Sequence, residues 1–319
     1  PGLNLMVAMF IGVTIAVIYT SFSGMKGASA VGRIVCIGIY VLLIGFVFKT
    51  LPKFGGFGGL LKTLPEKYDS MGNMPTQRII AWIVGGCIST AVMQAVLQPL
   101  LSAKSPEAAR AGSILGYLIA APICFFTATC GMLSKASGAD LGDGSTAFAY
   151  AIKTFSNPIF AGIIFAFATM IIAATMATMM LATGTIITNV YRTEINPNVD
   201  DAKILKLSKA ITFVFAYMTL VPAIVIPSKS LTNMFLTLQH VAAAPVSFSI
   251  LAGLMWKKTT KQGAFWSMLT GMIIGVAWML LGLTDRVEAV YPVFIVTYSV
   301  GIIVSLLTYR EKELIKGAK

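Results

Sequence analysis

The stretch PIFAGIIFAFATMIIAATMATMMLATGTIIT, residues 158–188, holds no charged side chain. A helix needs about 20 apolar residues to cross the hydrocarbon core of a bilayer. This run is longer, so it must tilt or protrude. Membrane-crossing strands alternate apolar and polar positions, and the run shows no such alternation, which excludes a β-barrel. The rest of the chain has the same character. Of the 319 residues, 57% are hydrophobic and 11% charged, against roughly 25% charged in a soluble domain. Mean hydropathy is +0.84. A soluble enzyme, a disulfide-rich secreted domain and a disordered chain are excluded, which leaves an all-α membrane protein.

Apolar runs between polar breaks give about nine transmembrane helices. They lie near 4–22, 32–50, 79–98, 111–134, 158–188, 207–227, 231–256, 263–283 and 290–309. The 24 basic residues divide unevenly between alternate loops. Fifteen share one side, among them Lys104, Arg110, Arg192 and the tail to Lys319; nine share the other. Cytoplasmic loops carry the excess of Lys and Arg, so the richer side and the C-terminus are expected in the cytoplasm of a plasma (inner) membrane protein. The net charge of +12 follows from these loops. No basic run is interleaved with aromatics, so the partners expected are the lipid bilayer and a small solute, with no nucleic acid. Nothing in the sequence specifies an oligomeric state.

Cys36, Cys87, Cys124 and Cys130 sit in apolar runs without CxxC spacing and read as small hydrophobes. No metal-ligand or nucleophile motif is present, so neither a catalytic set nor a metal site is expected. The chain is read as not an enzyme. All twelve acidic residues fall in loops or at span ends, leaving no intramembrane carboxylate for a proton relay. The spans carry backbone weakness and hydroxyls instead. Gly85-Gly86 interrupts the third span, with Ser89, Thr90 and Gln94 on the following turns. An opened helix there frees polar backbone groups beside a cavity, as in discontinuous transporter helices; close helix packing is the alternative. The lone histidine, His240, follows Gln239 inside a span. It is either a solute contact or a hydrogen-bonded packing residue. Thr175 and Thr178 share one helix face and offer oxygens to a hard cation, or simply pack. Between spans, Ala147, Phe148, Tyr150, Ala151 and Phe155 have the spacing of a short amphipathic helix lying on the bundle.

Four segments carry a resemblance. They are Ala244-Pro245-Val246 through Gly253 to Ala264, Tyr19 to Ala28, Gln98 to Lys104 with Ala109-Arg110, and Thr183 to Tyr191. Their order and spacing resemble the sodium:solute symporter family over nearly the whole chain. The resemblance implies a partial five-plus-five inverted repeat of the leucine-transporter type, with solute held at the midplane. On that reading, residues 1–50 hold the last two helices of the first repeat and 51–78 an extracellular loop. Residues 79–256 form the second repeat, and 257–319 two C-terminal helices and a cytoplasmic tail. The family's broken first helix has no counterpart, so an N-terminally incomplete chain is expected.

The implied function is solute symport by alternating access. A transporter-like sensory or scaffolding domain is the alternative. The candidate solute contacts, read from the residues themselves, are Gly85, Gly86, Ser89, Thr90, Gln94, Gln239 and His240. No cofactor is implied beyond Na+ as a coupling ion. The family's paired sodium-binding hydroxyls, about 18 residues before Tyr191, fall on Ala173 and Ala174, which have no side-chain oxygen. Thr175 and Thr178 are then the remaining side-chain ligands, and weak or absent sodium coupling of the family's usual kind is expected. Pro99 and Asn189 also stand where the family has arginine and aspartate.

Overall fold

The computed structural model describes residues 4–65, 74–142, 144–225 and 231–309. The C-terminal tail from 310 and residues 66–73 of the long loop lie outside the described residues. Among those described there are helices and no strand. In chain order the α-helices are α1 (Leu5–Thr50), α2 (Gly56–Thr63), α3 (Thr76–Val92), α4 (Gln94–Leu101), α5 (Pro106–Ala136), α6 (Ala147–Phe155), α7 (Pro158–Val190), α8 (Asp201–Met218), α9 (Leu220–Val225), α10 (Leu231–Leu238), α11 (Ala244–Met255), α12 (Lys261–Leu280) and α13 (Val290–Thr308).

Among the described residues, six helical stretches are long and apolar enough to cross a membrane, seven with the bent pair α3–α4 counted as one. Two of the expected spans are arranged differently. Residues 4–22 and 32–50 are joined in α1; SFSGMKGASA (21–30) contains no proline, the residue that opposes a helix most strongly. At 1.5 Å per residue α1 is about 69 Å long, more than twice a hydrocarbon core. Among the described residues, Ala30–Phe54 is the part of α1 long and apolar enough to cross, and Met6–Thr20 is a further apolar stretch. The 207–227 span is divided at Thr219 into α8 and α9, where Pro222 has no N–H to offer the Met218 carbonyl.

Helix starts follow from capping chemistry. The side chain of Asn157 accepts from Phe160 N at 2.8 Å ahead of Pro158. Ser105 does the same for Ala108 N at 3.2 Å ahead of Pro106, and Thr260 for Gly263 N at 3.1 Å. Each satisfies an N–H that the first helical turn leaves free.

The chain forms two compact units that do not follow chain order: residues 1–69 with 98–229, and 70–97 with 230–319. In the first, α1 packs along α7, α7 against α8, and α5 against α6. Val35, Ile39, Leu43 and Phe46 of α1 are buried, while Ile34, Ile37, Val41 and Phe48 are exposed, so one face meets protein and the other is left for lipid. The core adds Leu60, Cys130, Leu133, Ala151, Ile152 and Ile164. Here α6 is the amphipathic helix of the sequence reading, with Ala151 and Ile152 inward and Phe155 edge-on to Phe54 at 5.6 Å. In the second unit α12 and α13 lie side by side, and α11 packs on both and on α3. A Cβ on Gly271 would stand 2.1 Å from Thr297 Oγ1. The Gly271–Gly275 spacing therefore serves close helix approach.

Candidate functional site

In the second unit, α3 brings Arg78, Trp82, Gly85 and Ser89 onto one face at i, i+4, i+7 and i+11. The expected opening at Gly85-Gly86 is corrected. α3 runs unbroken through both glycines, since a helical glycine costs only about 1 kcal/mol, and the chain breaks at Met93, which is extended at φ −67°, ψ 129°. The following helix α4 is bent by 47° from α3. Gly85 has a packing reason: a Cβ there would lie 2.6 Å from His240 Nε2 and 2.8 Å from Val290 Cγ2.

His240 lies in a π-helical turn, Gln239–Ala243, between α10 and α11. Pro245 accounts for that turn, because it has no N–H for the Val241 carbonyl and its ring crowds the carbonyl four residues back. Such bulges occur often at functional sites. The turn places Gln239 beside α3, where Ser89 Oγ donates to the Gln239 carbonyl at 3.4 Å and Gln239 Nε2 to Met93 Sδ at 3.6 Å. His240 is fully buried, and neither ring nitrogen has a partner among the described residues. A buried imidazole with two idle nitrogens is costly; a polar ligand or an ordered water removes that cost. The structure thus gathers Gly85, Ser89, Gln239 and His240. No hydrogen bond joins the side chains of Thr90 or Gln94 to this group among the described residues, and Gly86 has open space where a Cβ would be.

The first unit holds a cavity of about 950 Å³ lined by Ala174, Thr175 and Thr178 of α7, Arg33, Cys36 and Tyr40 of α1, and Ser102 after α4. Ala173 is not among its lining residues. The Thr175 and Thr178 hydroxyls donate to the carbonyls of Ile171 and Ala174 at 3.0 and 2.9 Å. Their oxygens keep lone pairs for a further donor or a cation. Tyr40 Oη donates to the Ile119 carbonyl. Nothing in the local sequence marks the α1 contributors: Arg33 reads as a loop charge and Tyr40 as an apolar-run residue.

Also missed was Glu288. It lies at a span end, as every acid was expected to, yet it is only 7% exposed and pairs with Arg78 Nε at 2.7 Å. The buried carboxylate sits just ahead of α13, where the helix dipole favours negative charge. An Arg–Glu pair across 210 positions has no signature in local sequence.

These helices define an integral α-helical membrane protein. The chain belongs to the sodium:solute symporter family, whose family model matches residues 1–271. It is 23% identical over 305 residues to "Uncharacterized symporter YodF" of Bacillus subtilis, covering 92% of this chain and 59% of that protein. It is 22% identical over 324 residues to "High-affinity proline transporter PutP" of the same species, covering 98% and 68%. With the "Sodium/pantothenate symporter" of Escherichia coli it shares 24% over 282 residues, covering 83% and 56%. The chain thus spans little more than half the length of several relatives it matches.

Proposed function

We propose that this protein is a secondary active symporter that moves a small polar solute across the plasma (inner) membrane by alternating access, with its C-terminus in the cytoplasm. The family match over residues 1–271 carries this reading. The relatives bear names of symporters and a proline transporter, and the two repeats implied by the family are the frame in which solute is held. The contacts we assign to the solute are Gln239 and His240, with Ser89 and Gly85 beside them and Gly86, Thr90 and Gln94 on the same helix or just beyond its end. A buried histidine with no hydrogen-bond partner among the described residues is the feature of this group that asks for a polar ligand.

Sodium is the coupling ion proposed, as a transported co-substrate. A hard cation needs oxygen in place of its hydration shell. Ala173 and Ala174 offer no side-chain oxygen, whereas Thr175 and Thr178 do, and both line the cavity of the first unit. The proposed coupling is weak, because alanines stand where the family's paired hydroxyls fall.

The test is uptake of labelled proline, pantothenate and glucose into proteoliposomes of the full-length protein, with sodium exchanged for choline at fixed pH and potential. Gradient-driven uptake of at least one solute is expected, with a sodium dependence that falls in Thr175→Ala and Thr178→Ala. Uptake with strict sodium dependence that survives both substitutions overturns the ligand assignment. Absence of gradient-driven uptake for a broad solute panel favours a domain without transport.

A further inference from the structure

A second, smaller cavity of about 260 Å³ lies in the second unit, lined by Arg78, Trp82, Thr237, Met279, Thr284 and Glu288 among others. Among the described residues, Arg78 and Glu288 are the ionisable ones that line it. They are joined through one edge each, Nε to Oε1 at 2.7 Å. Among the described residues, the two Nη nitrogens of Arg78 and Oε2 of Glu288 make no hydrogen bond. Thr284 Oγ1 is buried and also without a partner. The wall is fixed from outside the pocket: Tyr291 Oη donates to the Gln77 carbonyl at 2.5 Å, and Gln77 Nε2 to the Arg286 carbonyl at 3.5 Å. Trp278 Nε1 donates to the Val287 carbonyl at 2.9 Å. The loop that carries Thr284 and Glu288 is thereby tied to both α3 and α12. A site held in this way loses little entropy when a ligand enters.

We infer that this pocket binds a small zwitterion of the α-amino-acid class. Its carboxylate would take the free Nη edge of Arg78, whose planar fork suits a carboxylate. Its ammonium would donate to Glu288 Oε2 and Thr284 Oγ1. Charge decides the class. A simple anion gains Arg78 but meets the Glu288 carboxylate, and a simple cation gains Glu288 but meets the guanidinium. A molecule carrying both charges satisfies the two free edges and the idle hydroxyl together. The volume restricts the side chain to a small one, against the indole of Trp82. Binding at this pocket is separate from transport and stands on the pocket alone.

The experiment is equilibrium dialysis of labelled L-alanine against the full-length protein in phosphatidylcholine nanodiscs, with N-acetyl-L-alanine and L-alanine amide as competitors. Saturable binding is expected, with neither competitor displacing it at tenfold excess. Thr284→Val removes only the idle hydroxyl, so melting should be unchanged while binding weakens three- to tenfold. Arg78→Lys keeps the ion pair and loses the fork, so binding should weaken at least tenfold. Absent binding, affinity equal to the parent's in both variants, or displacement by either competitor overturns the inference. Uptake that persists while the pocket binds nothing overturns this site alone. Binding that persists without uptake overturns only the transport reading.

Discussion

Gly85 and Gly86 are neighbours with opposite surroundings. A methyl on Gly85 enters the ring of a fully buried His240, whereas one on Gly86 meets nothing within 4 Å. Gly85→Ala should therefore destabilise the protein by about 1–3 kcal/mol, the range for overpacking a filled site. Gly86→Ala should be neutral or stabilising by up to about 1 kcal/mol, since alanine loses less backbone entropy in a helix. Thermal unfolding of the two variants in detergent checks the contrast. In the double variant Gly85→Ala/His240→Ala the clash with the imidazole is gone and that with Val290 Cγ2 remains, so part of the loss should return. Equal melting temperatures for the two single variants would show that His240 does not press on Gly85. The glycine pair is visible in the sequence, but its unequal roles are not, because only the fold sets His240 against one member.

At the scale of elements, caps and breaks decide where helices begin and end. Asn157→Ala removes the acceptor for Phe160 N, which should cost about 0.5–2 kcal/mol. Urea unfolding of α7 in bicelles, followed by circular dichroism, measures it. Pro245→Ala tests the π-helical turn. With an N–H restored and the ring gone, the Gln239–Ala243 turn can close to α geometry. Removing the extra residue of the bulge rotates the upstream residues by about 100°. Gln239 should then leave Ser89 and Met93, and uptake should fall while melting stays within a few degrees. Retained uptake would mean that the turn is not needed to present Gln239 and His240. Here the sequence shows part of the answer: Pro245 in an apolar run marks a disturbance one turn upstream. The break at Met93 carries no such mark, having neither proline nor glycine at the position.

At the scale of the whole molecule, loop charge orients the helices. Lys104 and Arg110 flank one connection, and Lys135 and Lys153 the next but opposite one. In a background with the four native cysteines replaced, Ser105→Cys should resist an impermeant maleimide applied to intact cells. Asp140→Cys should react with it. The reverse pattern would invert the topology.

The sequence by itself determines that this is an all-α membrane protein, because transfer of apolar side chains to lipid depends on composition summed over about 20 residues and on nothing distant. Four short segments in order also determine the family. The tertiary structure alone decides which polar groups meet. Ser89 joins Gln239 across 150 positions and Arg78 joins Glu288 across 210, and such contacts depend on helix rotation, for which an all-round apolar span provides no amphipathic guide. That is why Thr175 and Thr178 were legible as hydroxyls on one face, while the cavity they line with Arg33, Cys36 and Tyr40 was not.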